Sequence, residues 1–299
     1  MVLNTLRTCP PLILKGDSCL LVSLLESCTG QWDVATVCDR TGWRTDLAVA
    51  VLDELQRRGV LTLHPLPIHD EYAVYPRYVR QMEFLEERLG SVEAAIAAQR
   101  KLLSTHVTVI GLGGSAHWLI AGLAAAGIRR WRLLDPDIVS LSNLSRQFLF
   151  AADSIGRPKV DAASEYLHRC DTDFQVEGRQ TGVWDERDAA DALDGTDLAI
   201  VTVGHVPSRI TAVTNRAAVA AGVPLLLVGG ATWGPFVVPG RTPCVACLER
   251  HLRASSPRTF DTLAERSPRF PTGVHTPVLV TAIAGAAVAA AHDVINFLS

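Results

Sequence analysis

From Val107 onward the chain repeats one pattern, a short and mostly apolar run followed by a helix-length stretch. The runs are V-T-V-I at 107–110, W-R-L-L-D at 131–135, L-A-I-V-T-V at 198–203 and P-L-L-L-V at 224–228. Runs this apolar need cover on both faces, and connections long enough to hold a helix let successive strands run parallel. The pattern therefore predicts an α/β fold, a Rossmann-like and mostly parallel sheet with helices on both faces. At 299 residues there is room for one large domain of this kind plus a small one.

Inside that frame, residues 105–150 carry the chemistry. V-I-G-L-G-G at 109–114 leads from a strand into a helix. Gly111 permits the tight turn, Gly113 lets the backbone approach a phosphate, and Gly114 completes the loop; Ala116 stands where a third glycine often eases helix packing. A glycine turn alone is also the ordinary way for an α/β protein to turn from strand to helix. Its partners strengthen the nucleotide reading: Asp135 at the end of the next strand is placed for a ribose hydroxyl, Asp137 follows, and Arg146 and Lys159 supply cations for phosphate oxygens.

Bulk properties exclude several other classes. A net charge of −3 gives no general pull toward nucleic acid or membranes. The start M-V-L-N-T-L-R-T-C-P-P lacks the charged and apolar regions of a signal peptide. Pro277–Ala291 is alanine-rich but shorter than the ~20 residues a bilayer needs, and it runs into His292 and Asp293, so it is expected to be a buried or interface helix. Seven scattered cysteines, an odd number, argue against a disulfide framework and predict a reducing, cytoplasmic setting. Cys170, His117 and His205 show no partner spacing and read as structural.

The expected domain boundary lies near residue 70, with 1–70 a small domain and 71–299 the Rossmann-like body. Residues 11–64 read as a strand (P-L-I-L-K-G), a helix opened by Asp17, a second helical stretch T-D-L-A-V-A-V-L-D-E-L-Q-R-R ending at Gly59, and a closing strand V-L-T-L-H. That order is winged-helix-like. Such modules bind nucleic acid or peptides, and here Asp46, Asp53 and Glu54 accompany Arg57 and Arg58 on the last helix, so peptide is favoured over DNA. A peptide adding as an extra strand would touch Leu12, Ile13 and Leu14 on the strand, and Leu47, Val51, Leu55 and Arg58 on the helix. The competing role for the apolar members is core packing.

R-Y-V-R-Q, V-I-G-L-G-G, L-L-D-P-D-I-V, S-N-L-S-R-Q and G-R-P-K-V, in this order, resemble the ThiF/MoeB/MccB adenylating enzymes, relatives of the ubiquitin-activating enzymes. The resemblance covers roughly residues 77–298. It implies ATP over the glycine loop, the ribose on Asp135, and Asn143, Arg146, Gln147 and Lys159 around the phosphates. It also implies a homodimer in which Arg80 reaches the ATP of the other subunit.

Three departures from the family pattern bear on activity. The magnesium-holding aspartate expected after the crossover strand is replaced by Gly204 in I-V-T-V-G-H-V-P-S-R, with Asp137 as the alternative magnesium ligand. Cys244 and Cys247 match half of a four-cysteine zinc site, the second pair is missing, and His251 and His275 are the alternative ligands, so zinc is not expected. The loop after that pair has no cysteine for a thioester. These departures favour a leader-peptide recognition and scaffold protein of ribosomal peptide natural product biosynthesis, ATP binding being vestigial, that delivers a precursor to a YcaO-type cyclodehydratase. The alternative is an ATP-dependent adenylyltransferase acting on the C-terminal carboxylate of a peptide or sulfur carrier. A DNA-binding regulator is disfavoured by the acidic helix.

Overall fold

The computed structural model describes residues 2–3, 12–13, 18–28, 32–58, 72–203, 208–266 and 279–299. The chain divides into two compact units, Met1–Ile96 and Ala97–Ser299.

In the first unit β1 (Val2–Leu3) pairs antiparallel with β2 (Leu12–Ile13), Val2 opposite Ile13. Three helices follow: α1 (Ser18–Ser27), α2 (Val34–Thr41) and α3 (Thr45–Arg57). Asp33 caps α2 by accepting the Thr36 N–H at 2.7 Å, and Gly42 ends it in the left-handed region. Leu24, Val37, Cys38, Ala48 and Leu52 form the small core, one apolar stripe from each helix. The expected cap Asp17, the end at Gly59 and the closing strand at 60–64 lie outside the described residues. Two further helices, α4 (Val79–Leu89) and α5 (Val92–Ser104), follow, and the division between the units falls within α5.

The second unit is built on six strands: β3 (His106–Ile110), β4 (Arg130–Leu134), β5 (Gln175–Arg179), β6 (Leu198–Val201), β7 (Leu225–Gly229) and β8 (Thr232–Val237). Their order is β5-β4-β3-β6-β7-β8, parallel throughout except β8, which turns back antiparallel on β7. Chain progress runs outward one way from β3 through β4, then crosses to β6 and runs outward the other way. That reversal is a topological switch point, and open sheets of this kind bind ligands at the strand carboxyl ends beside it.

Alternate side chains of each strand go to opposite faces. Val107, Val109, Leu133, Ile200 and Leu226 pack with α6 (Gly114–Ala126), α7 (Lys159–Cys170) and α12 (Val280–Leu298). Ile110, Leu134, Val201 and Leu227 face α8 (Glu186–Leu193), α9 (Arg209–Ala221) and the start of α10 (Val245–Ser255). A short helix α11 (Pro257–Arg266) follows α10. Helix α12 runs to Leu298, well past His292. By length and composition alone its 19 residues could cross a membrane. It packs on α6, with Ile283, Ala286, Ala287, Ala290, Ala291, Val294 and Leu298 buried, so the alanines serve close helix packing.

Candidate nucleotide site

The carboxyl ends of β3, β4 and β6 meet at the switch point. Gly111 leaves β3 with φ +97°, a conformation that side-chain-bearing residues rarely adopt, and its N–H donates to the Leu134 carbonyl at 2.7 Å. A methyl group there would lie 2.2 Å from Cγ1 of Val203. The Thr202 hydroxyl donates to the Gly111 carbonyl at 2.7 Å and ties the loop to the end of β6. Gly113 has an ordinary extended conformation and precedes the first turn of α6; a Cβ there would meet nothing within 4 Å. The free N–H groups of that turn and the positive end of the helix dipole are directed toward the mouth of the loop.

Asp135 stands at the end of β4, buried. Its Oδ2 accepts the Leu112 N–H at 2.6 Å and its Oδ1 the Asp137 N–H at 2.9 Å. It therefore fixes the glycine loop from the neighbouring strand, and an ionised carboxylate still has acceptor capacity left for a hydroxyl. Burial pushes the carboxyl up from its ordinary range; the Lys159 charge and the two N–H donors pull it down without cancelling that effect.

Lys159 opens α7. Its Nζ lies 2.9 Å from Oδ2 of Asp137 and 3.8 Å from Oδ1 of Asp135, and its side chain is almost fully buried. The G-R-P-K turn folds back onto the Asp135–Asp137 segment: the Lys159 N–H donates to the Asp137 carbonyl at 3.0 Å and the Val139 N–H to Arg157 at 2.9 Å.

The S-N-L-S-R-Q segment follows as a short 3-10 turn. Asn143 is buried and caps that turn, its Oδ1 accepting the Ser140 N–H at 3.0 Å. Arg146 donates to the Ser142 carbonyl at 2.9 Å and makes no ion pair among the described residues. Gln147 is buried, and its Oε1 finds no hydrogen-bond partner among the described residues. Such an orphan is rare in a folded interior and suits an additional donor at this edge of the site.

His117 holds these parts together. Its Nδ1 accepts the Leu149 N–H at 2.9 Å, which leaves Nε2 to donate to the Leu112 carbonyl at 3.3 Å. The ring stands edge-on to Phe150. Burial lowers its pKa to about 3, against the hydrogen bond to Leu112 and helped by the charges of Lys159 and Arg146. It is a neutral brace between the glycine loop and the end of the S-N-L-S-R-Q segment. Nothing in the sequence pattern reveals this, because both partners are backbone groups. Thr202 escapes sequence reasoning for the same reason.

The other candidate residues lie elsewhere or outside the description. Gly204 falls in 204–207, outside the described residues. In the first unit Arg80 on α4 is almost fully exposed and pairs with Glu83 at 3.1 Å. Leu12 and Ile13 form β2, and Leu14 lies outside the described residues. On α3, Leu47 is exposed, Val51 packs against the small core, and Arg58 pairs with Glu54 at 2.5 Å. Leu55 is fully buried, as the competing core-packing role for the apolar members of α3 requires.

Cys244 and Cys247 sit at the start of α10, with sulfurs 3.8 Å apart. Burial raises the Cys244 thiol, but hydrogen bonds from the Cys247 backbone, the Asn215 side chain, the Cys247 thiol and the Ala246 backbone outweigh it and lower it overall. Among the described residues no third Cys, His, Asp or Glu joins the pair, His251 included. His275 lies outside the described residues. The described donors do not fit a closed tetrahedral zinc site, which needs four ligands.

A mostly parallel sheet with a glycine loop at its switch point and a buried Asp-Lys pair beside it defines a dinucleotide- or nucleotide-binding class of α/β protein. Residues 78–299 match the ThiF family, and the chain belongs to that family. It is 32% identical to the sulfur carrier protein ThiS adenylyltransferase of Escherichia coli, over 52% of this chain and 62% of that protein. It is 33% identical to the molybdopterin-synthase adenylyltransferase of Escherichia coli, over 51% of this chain and 61% of the relative. With the adenylyltransferase and sulfurtransferase MOCS3 of Sus scrofa it shares 31% identity, over 68% of this chain and 43% of the relative. The chain thus spans between 43% and 62% of the length of these relatives. Among solved structures, E. coli MccB with AMPCPP and MccA superposes with a TM-score of 0.69 at 21% identity, over 94% of this chain and 79% of that one. PaaA gives 0.66 at 19% identity, over 96% and 84%. At these identities the superpositions establish the fold.

Proposed function

We propose that the second unit binds ATP at the switch point and transfers its adenylyl group to the C-terminal carboxylate of a peptide or small carrier protein. The observation that carries this reading is the cluster of Asp135, Lys159 and the orphaned Gln147 around a glycine loop, in a chain whose relatives are adenylyltransferases. In this reaction a carboxylate oxygen attacks the α-phosphorus, the bond to the bridging oxygen breaks, and pyrophosphate leaves. Asp135 would take the ribose hydroxyl. The first turn of α6, Arg146 and Lys159 would face the phosphate charge that grows in the transition state. Asn143 and Gln147 would complete the phosphate end, and Asp137, half-exposed, would hold magnesium with the phosphates. Magnesium would supply charge neutralisation there.

By family resemblance the working form is a cytoplasmic homodimer, with Arg80 completing the partner subunit's site. The first unit would present the peptide, its exposed Leu47 on α3 and the strand at Leu12 and Ile13 forming the contact.

One observation favours a second reading, a scaffold that binds a leader peptide and passes the precursor to a YcaO-type cyclodehydratase: glycine stands at 204 where the family carries its magnesium aspartate. Pyrophosphate release, measured on the full chain with ATP, magnesium and candidate peptides, separates the two. Peptide-dependent turnover supports adenylyl transfer. Tight binding of a fluorescent leader peptide, weakened by Leu47→Glu, with no pyrophosphate released from any candidate, would overturn it in favour of the scaffold.

A further inference from the structure

Cys244 and Cys247 remain unexplained by the nucleotide reading, and as a zinc site they lack described partners. What they do have is pair geometry. Three residues apart, Cys244 is the N-cap of α10 and Cys247 lies in its first turn, and their sulfurs are 3.8 Å apart. Cys244 is half-buried and Cys247 exposed. A disulfide needs about 2.05 Å between sulfurs, a gap that side-chain rotation about χ1 can close between an N-cap residue and the third residue of the helix it caps. Helix N-termini and Cys-X-X-Cys spacing are the setting in which thiols exchange readily. The position is also anchored: the Val245 N–H donates to Oδ1 of buried Asn215 at 3.0 Å, which fixes the first turn of α10 on α9.

We propose that Cys244 and Cys247 are a reversible dithiol–disulfide pair, a thiol-exchange site for low-molecular-weight disulfides such as oxidised glutathione. One protein thiolate attacks a sulfur of the small disulfide, forming a mixed disulfide and releasing one small thiolate. The second protein thiolate then displaces the other small thiol and closes the Cys244–Cys247 bond. The protein pair loses two electrons and two protons; the small disulfide gains both and leaves as two thiols.

The sequence makes the test direct, because tryptic cleavage after Arg241 and Arg250 gives T-P-C-V-A-C-L-E-R, which holds these two cysteines and no others. The purified full chain is equilibrated in glutathione buffers of graded oxidised-to-reduced ratio, quenched in acid, alkylated and digested. The expected result is a peptide lighter by two hydrogens and closed to alkylation, appearing over a single transition within the series and reversed by dithiothreitol. Cys244→Ser and Cys247→Ser should each accumulate glutathione on the remaining cysteine, which the parent chain does not. Alkylation of both cysteines at every ratio, glutathione held by the parent chain as by the serine variants, a bond to any other cysteine, or one tightly held zinc per chain that blocks alkylation would each overturn the proposal.

Discussion

At the scale of single residues, two glycines two positions apart in sequence make opposite predictions. Gly111 is held at φ +97° with Val203 where a methyl would go, so Gly111→Ala combines backbone strain with a clash and should lower unfolding free energy by about 1–3 kcal/mol. Gly113 has neither constraint, so Gly113→Ala should leave stability within about 0.5 kcal/mol while, on the proposed function, weakening ATP binding by placing a methyl in the open space over the loop. Urea unfolding and nucleotide titration on both variants check this; equal stability loss in the two would sink the distinction. His117 gives a pH prediction. Its folded pKa is depressed to about 3 from 6.5, so between those values the unfolded chain binds the proton and the folded chain does not. Stability from this residue is complete above pH 6.5 and is lost as pH falls toward 3, by about 2 kcal/mol between pH 7.5 and pH 5. His117→Gln should flatten that part of the pH dependence, and an unchanged slope in urea unfolding would contradict it. The placement of Asp135 and Lys159 beside the glycine loop was legible in sequence because each sits at a fixed offset from a strand or helix end. The brace made by His117 and the tie from Thr202 were not, because they bind backbone atoms that folding alone brings near.

At the scale of elements, β3, β4, β6 and β7 were legible because burial on both faces leaves a mostly apolar run, whereas the edge strands β5 (Q-V-E-G-R) and β8 (T-W-G-P-F-V), largely exposed, carry no such run and escaped sequence reasoning. Those runs also show which face each side chain takes, since Val109 and Ile110 must point apart. The length of α12 was not, because an alanine-rich stretch ending in His292 and Asp293 looks finished, whereas the helix continues with Val294 and Leu298 on its buried side. The most informative element is α7. A lysine at its first position places positive charge at the positive end of the helix, an unfavourable arrangement by itself. The arrangement is offset by Asp137 at 2.9 Å and Asp135 at 3.8 Å. Lys159→Met therefore relieves the helix but leaves Asp135 buried without its countercharge, and the net expectation is a loss of about 1–3 kcal/mol in stability. It should also cost at least tenfold in ATP affinity, roughly 1.4 kcal/mol. If the lysine served the fold alone, calorimetry would show the stability loss with nucleotide affinity intact.

At the scale of the whole molecule, the question is how far one chain suffices. The first unit was only partly legible: the helical periodicity of α1 and α3 announced a small core, but exposed Leu47 and buried Leu55 carry the same apolar signal and only packing separates them. Arg80 poses a sharper version of the same difficulty, because within its own unit it is an exposed cation paired with Glu83, and its proposed role depends on a second copy. A symmetric dimer makes that role testable by mixing. Arg80→Ala and Lys159→Met each spoil both sites of their own dimers if Arg80 acts across the interface. When the two variants are exchanged in equal amounts, half the dimers are mixed, and each mixed dimer rebuilds one of its two sites, with Arg80 from one chain and Lys159 from the other. About one quarter of all sites should then bind ATP at parental affinity. If Arg80 instead served its own chain's site, every site in a mixed dimer would still carry one defect, and no high-affinity binding would return.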